Sequence, residues 1–158
     1  MPNWCSNSLT ITGPKEILEK FKEAIESEEA IFLNAISPIG EWDYGNAIDA
    51  WGTKWDVNTE GLHYTELEDG SAEIDGSFDS AWGPPIQAFA TLSEKHPELD
   101  MRLSYFEPGM AFVGQWTPED GEETFNYMDE DVPEELDEEW GIAEEIEENN
   151  EWKKKIFN

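Results

Sequence analysis

Three places in the chain hold residues whose types and spacing could do chemistry. The run WGTKWD sets Trp51, Lys54, Trp55 and Asp56 within six positions, and SAWGPP adds Trp82. Indoles stack on a base or a sugar, and a lysine with an aspartate could make the polar contacts. These five residues form a candidate small-ligand pocket. They also fit a plain tryptophan-anchored turn in which Lys54 pairs with Asp56, because a tryptophan brings a large area to bury and one N–H to satisfy. We favour that second reading. Trp82 precedes a helix start that could hold an anion, but a packed turn is again the simpler assignment.

The second place is Cys5, flanked by Trp4 and Ser6. A nucleophilic thiol needs a base and a cationic setting. His63 and His96 are the only histidines, and neither stands in a nucleophile motif. Cys5 is expected to be buried and inert, and no catalytic residue is assigned.

The third place is acidic. No Lys or Arg occurs between Arg102 and Lys153, and 17 Asp or Glu fall between Glu119 and Glu151. The runs DEDVPEELDEE and PEDGEE do not place ligands in the steps of a calcium loop, so no metal site and no cofactor are expected. The alternative is that carboxylates imitate the phosphates of a nucleic acid. Along a helix, residues 134–151 would span about 27 Å and carry 10 acids. That density is comparable with one charge per about 1.7 Å of duplex DNA, or about 3.4 Å along one strand. The candidate partner-binding set is Glu134, Glu135, Asp137, Glu138, Glu139, Trp140, Glu144, Glu145, Glu147 and Glu148. The plain reading is a solvated face that keeps the chain soluble.

These residues must be positioned by a fold. Residues 4–12 alternate around Trp4, Leu9 and Ile11 and predict a strand ending at Gly13-Pro14. Ile17, Leu18, Phe21, Ala24 and Ile25 predict a helix over Lys15–Ser27. The segment 31–39 looks like an extended connector. A short helix follows near 46–51, then a strand from about Lys54. Residues 72–79 form the next strand. A second helix opens at Pro84-Pro85 and ends near His96-Pro97. DMRLSYFE is a strand, and MAFVGQW is its hairpin partner. Residues 118–133 then form a loop. From Pro133 a helix carries a Leu136, Trp140, Ala143, Ile146 stripe, interrupted where Gly141 can split it. The order predicts an α+β, ferredoxin-like βαββαβ sandwich with an extra strand and an acidic helical C-terminal extension. The expected domains are residues 1–117, and an acidic extension over 118–158 packed on it or projecting from it.

Composition narrows the partners. The 158 residues hold 38 acids and 9 bases, a net charge of −29, with 8 Trp and 8 Phe. A disordered acidic chain would be poor in aromatics, so most of this one folds. Residues 1–118 hold 21 acids and 6 bases, so about half the charge lies outside the tail. Nucleic acid and anionic membranes would both be repelled. The start of the chain lacks a signal-peptide pattern and no apolar run spans a membrane, which with a lone cysteine points to a cytoplasmic location.

The segments PNWCSN, LTITG, WGTKWD, SAWGPP and YFEPGMAFVG, in this order, resemble the YubB-type ferredoxin-like domain family. The similarity covers residues 1–117 and leaves out the acidic tail, and Gly83 stands where that family carries serine. It implies a ferredoxin-like fold and an origin in phages, prophages or plasmids. It implies no activity. The leading expectation is therefore a non-enzymatic nucleic-acid mimic. It would block a basic DNA- or RNA-binding host protein, such as a defence nuclease or CRISPR-type effector, in the bacterial cytoplasm. An enzyme or small-ligand binder using the tryptophan pocket is one alternative, and a self-associating structural module is another.

Overall fold

The computed structural model describes residues 2–157, with side chains through Trp152. Six strands form one sheet: β1 Trp4–Pro14, β2 Leu62–Glu66, β3 Ser71–Ala81, β4 Asp100–Glu107, β5 Phe112–Thr117 and β6 Gly121–Asn126. Their order is β2-β3-β1-β4-β5-β6, and every neighbouring pair is antiparallel. The first four strands in space follow the ferredoxin-like arrangement, and the β4-β5-β6 meander extends it on one side.

The first helical layer comprises α1 Lys15–Leu18, a 3₁₀ turn Glu19–Phe21, α2 Lys22–Glu26, α3 Phe32–Ile36, α4 Tyr44–Trp51 and α5 Ile86–Lys95. The expected Lys15–Ser27 helix thus exists but is interrupted by the 3₁₀ turn. Strand alternation decides which residues meet this layer. Cys5, Asn7, Leu9 and Ile11 of β1 are buried, and so are Ala72, Ile74, Phe78 and Ser80 of β3. Register places Leu9 beside Leu103 and Ile11 between Ile74 and Met101. Phe89 of α5 lies 6.2 Å from Phe32 and 6.4 Å from Phe78, ring to ring. Asn7 is the polar member of the buried row, and its Nδ2 donates to the Cys5 and Phe78 carbonyls and to Ser80 Oγ.

Three expectations are corrected. Residues 32–36, read as an extended connector, form α3, because Phe32, Leu33 and Ile36 bury on one side and Asp56 caps the helix start. The strand expected from Lys54 begins at Leu62 instead, because 52–61 is spent on turns around the tryptophans. Residues 121–126, read as loop, form β6, paired with β5 from Phe112↔Asn126 to Thr117↔Gly121. Its sequence, GEETFN, is charged where an edge strand faces water, which hid the strand pattern.

The tail forms two helices, α6 Glu134–Trp140 and α7 Ile142–Phe157. Gly141 between them is left-handed at φ +64° and ends α6. The break resets the phase of the apolar stripe. Ile142 is buried, whereas Ala143, the expected stripe member, is exposed. Leu136, Ile142, Tyr127 and Val113 make a second core with Phe106, Phe125, Val132, Trp140 and Ile146.

Phe89→Ala should cost about 3–5 kcal/mol by opening a cavity between α3 and β3, seen as a lower urea midpoint with little change in slope. Leu136→Ala should cost about 2–5 kcal/mol, and hydrogen exchange should speed up first in α6, with β1 protected longest.

Candidate functional site

The acidic helices are attached by named contacts. Thr10 of β1 pairs with Asp75 on one side and Arg102 on the other, so these three lie on one face of the sheet, opposite the first core. Arg102 donates from both terminal nitrogens to Glu139 of α6, at 3.2 and 3.0 Å. That hydrogen-bonded carboxylate raises the guanidinium pKa further. Four residues along β4, on the same face, the Phe106 ring stacks on Trp140 at 5.8 Å and 23°. The Asp137 carboxylate accepts from Ala143 N at 2.8 Å and so bridges the break before α7.

The predicted acidic set therefore divides. Asp137 and Glu139 are engaged inside the molecule, and Trp140 pins α6 to the sheet. Glu134, Glu135, Glu138, Glu144, Glu147 and Glu148 are exposed, and Glu145 is half-buried. Glu145 lies near enough to Tyr127 to add to the rise of its phenol pKa to about 12, which burial mainly causes. β3 contributes further acids to the same side of the sheet. Glu73, Asp75 and Asp79 alternate with the buried Ala72, Ile74, Phe78 and Ser80 and stay partly or fully exposed. They were not singled out in the sequence, although the period-2 pattern of 72–79 carries that signal.

The predicted tryptophan pocket is brought together only in part. Trp51 is 3% exposed, and its Nε1 donates to the Ser37 carbonyl at 2.9 Å. Asp56 does not pair with Lys54. Its oxygens accept from the backbone N–H groups of Leu33, Asn34 and Val57. Lys54 instead sets its ammonium 4.0 Å from the Trp55 ring centroid and 4.0 Å from that of Trp82. Each such cation–π contact contributes about 0.5–1 kcal/mol at an exposed site. Trp82 holds a left-handed backbone at φ +66°, strained for a bulky residue, and its N–H is fixed by the Asn3 carbonyl at 2.7 Å. Two further tryptophans join the group. Trp4 lies 6.2 Å from Trp55, and Trp42 Nε1 donates to the Lys54 carbonyl at 2.7 Å. Trp4, Trp42, Trp55 and Trp82 are all more than 40% exposed, which makes this a surface cluster rather than a packed turn.

Cys5 is fully buried, and burial, helped by Glu107, pushes its pKa up to about 12. Among the described residues no group of three or more His, Cys, Asp or Glu is placed to hold a metal ion. No helix among them is long and apolar enough to cross a membrane.

Cys5, Tyr105 and Tyr127 all hold their protons more tightly in the fold than in the open chain, chiefly through burial. Their contribution is therefore full below the unfolded values, near 9 for the thiol and 10 for the phenols. It is lost as pH rises above them, because only the unfolded state then ionises. Chemical unfolding should show stability falling from pH 9 upward, less steeply in Cys5→Ala. A thiol reagent at pH 8 should label Cys5 only after denaturation.

Comparisons with known proteins bear on the fold. Residues 50–151 match the family model described as the ferredoxin-like domain in Api92-like protein. That match crosses from the sheet into the acidic helices. Among solved structures, the crystal structure of protein api92 from Yersinia pseudotuberculosis is similar at 19% identity and a TM-score of 0.36. The similarity covers 72% of this chain and 40% of that one. No curated protein matches the chain.

Proposed function

This chain belongs to the family of ferredoxin-like domains in Api92-like proteins, and we propose that it is a stoichiometric binding protein whose carboxylates occupy the phosphate-binding positions of a basic, nucleic-acid-binding partner. One observation carries this reading. The exposed acids of α6 and the start of α7 stand on the same side of the sheet as Glu73, Asp75 and Asp79 of β3. The acidic field therefore belongs to a face, not to a loose tail. Several cations lie apart from it or are already engaged. Arg102 is held by Glu139, Lys15 by Glu66, and Lys54 by two indoles.

A surface of one sign gains most by steering. It raises the encounter rate with a cleft of opposite sign, and the gain shrinks as salt screens it. Competitive occupation needs no catalytic group. The partner would be a Lys/Arg-lined host protein, a defence nuclease or CRISPR-type effector being the class that gives such a mimic a purpose. This reading keeps the YubB-type similarity and the phage or plasmid origin, and places the protein in the cytoplasm of the bacterial host. Direct nucleic-acid binding is opposed by the sign of the sheet face. RNA-binding sheets of this topology use basic and aromatic residues, whereas this face offers Glu73, Asp75 and Asp79.

The test is capture of partners from host lysate, followed by competition between this protein and labelled duplex DNA or RNA for the captured protein. Raising salt from about 50 to 200 mM should weaken binding on the order of tenfold or more. A variant with Glu134, Glu135, Glu138, Glu144, Glu147 and Glu148 changed to Gln should bind at least about tenfold more weakly and with a shallower salt slope. Binding that ignores salt and survives those six changes would refute mimicry.

A further inference from the structure

Beside the clamped Lys54 lies a groove of about 430 Å³, within the size range of small-molecule sites. Its lining includes Ile31, Ile39, Trp42, Trp51, Trp55 and Asp56. Three indoles, two aliphatic side chains and one carboxylate thus face a common space.

The hydrogen bonds around this groove restrict what it can recognise. Trp42 Nε1 is spent on the Lys54 carbonyl and Trp51 Nε1 on the Ser37 carbonyl. Asn34 Oδ1, also at the groove, accepts from Ile39 N at 2.9 Å. Asp56 already takes three backbone N–H bonds, at 2.7, 2.9 and 2.8 Å, out of roughly four acceptor positions on a carboxylate. What remains for a guest is π surface, aliphatic wall, negative charge and the side-chain donors of Trp55 and Asn34, with about one side-chain acceptor position left on Asp56. A primary ammonium or a guanidinium would find few acceptors there and would have to keep water on its donors, as the ammonium of Lys54 does beside the exposed rings of Trp55 and Trp82. A cation that donates no hydrogen bonds would lose nothing.

We propose that this groove binds a quaternary ammonium head, held by the indoles of Trp42 and Trp55 over the Trp51 floor, with Asp56 supplying the charge. The local chemistry already has an internal precedent. Lys54 Nζ sits over the Trp55 ring, so this indole accepts a cation from within the chain. Lys54 is then a competitor for the guest, both for the ring and through like charge. The inference does not depend on the acidic-face reading, because the guest carries a single charge and touches neither α6 nor α7.

The experiment is an NMR titration of the full chain with choline chloride, following the indole N–H signals of Trp42 and Trp55. The neutral isostere 3,3-dimethylbutan-1-ol and sodium chloride at equal ionic strength serve as controls. Saturable shifts with choline, and binding of the isostere at least about fivefold weaker, are expected. Trp55→Ala should weaken choline about fivefold or more, whereas Lys54→Met should strengthen it. Trp55 is exposed and Lys54 half-buried, so both variants should keep the far-ultraviolet circular dichroism of the native chain. Trp55→Phe retains a ring and should fall between native and Ala. The variant with six glutamines on α6 and α7 should bind choline as the native chain does, which separates this site from the acidic face. A peptide carrying trimethyllysine distinguishes the sources. Tighter binding than choline assigns a protein-borne head, and equal binding assigns a free one. The proposal is overturned if the isostere binds as well as choline, if choline acts no differently from sodium chloride, or if Lys54→Met weakens binding.

Discussion

β4 is buried on both of its faces, and the rest of the molecule is arranged around that burial. Met101, Leu103 and Tyr105 point into the first core. Ser104 is buried on the other side, and Phe106 is covered there by Trp140. An antiparallel sheet can leave one face in water if that face is polar. Here it does so over β1 and β3, where Ser6, Ser8, Thr10 and Thr12 neighbour Glu73, Asp75 and Asp79. Over β4 and β5 the same face carries Phe106 and Val113 and needs a cover, which α6 and α7 supply.

This division places the charge. A helix of mostly acidic residues has little reason to fold alone, since like charges repel at helical spacing. Leu136, Trp140 and Ile142 give it one, and Arg102 supplies a counter-charge at the contact. Burial then holds the backbone while the remaining carboxylates point outward. The protein thus presents acids from a packed surface, where a partner would meet them already ordered, with less conformational entropy to lose on binding.

The tryptophan cluster obeys a different constraint. Four of its indoles are exposed, and Trp82 holds a strained backbone there. Strain of this kind costs about 1–3 kcal/mol and persists where the surroundings enforce it. The bond from Trp82 N to the Asn3 carbonyl and that from Ser80 Oγ to the Gly83 carbonyl are the enforcing contacts.

Much of this was legible in the chain itself. The period-2 runs of β1, β3 and β4, the apolar spacing of α5, the charge and the weak point at Gly141 all follow from local composition, because strand alternation and helical periodicity need no distant partner. The buried Cys5 follows from the same alternation. β6 was not legible, since an edge strand with one apolar residue, Phe125, has no pattern until β5 stands beside it. Nor was α3, whose five residues depend on the carboxylate of Asp56 from far along the chain. Only the tertiary structure separated the acids that serve the fold from those left free, because the register of β4 decides that Arg102 meets Glu139. It alone moved Lys54 from Asp56 to the indoles of Trp55 and Trp82. Spacing places such residues near one another, but which partner each one takes is set by backbone that folds back from elsewhere.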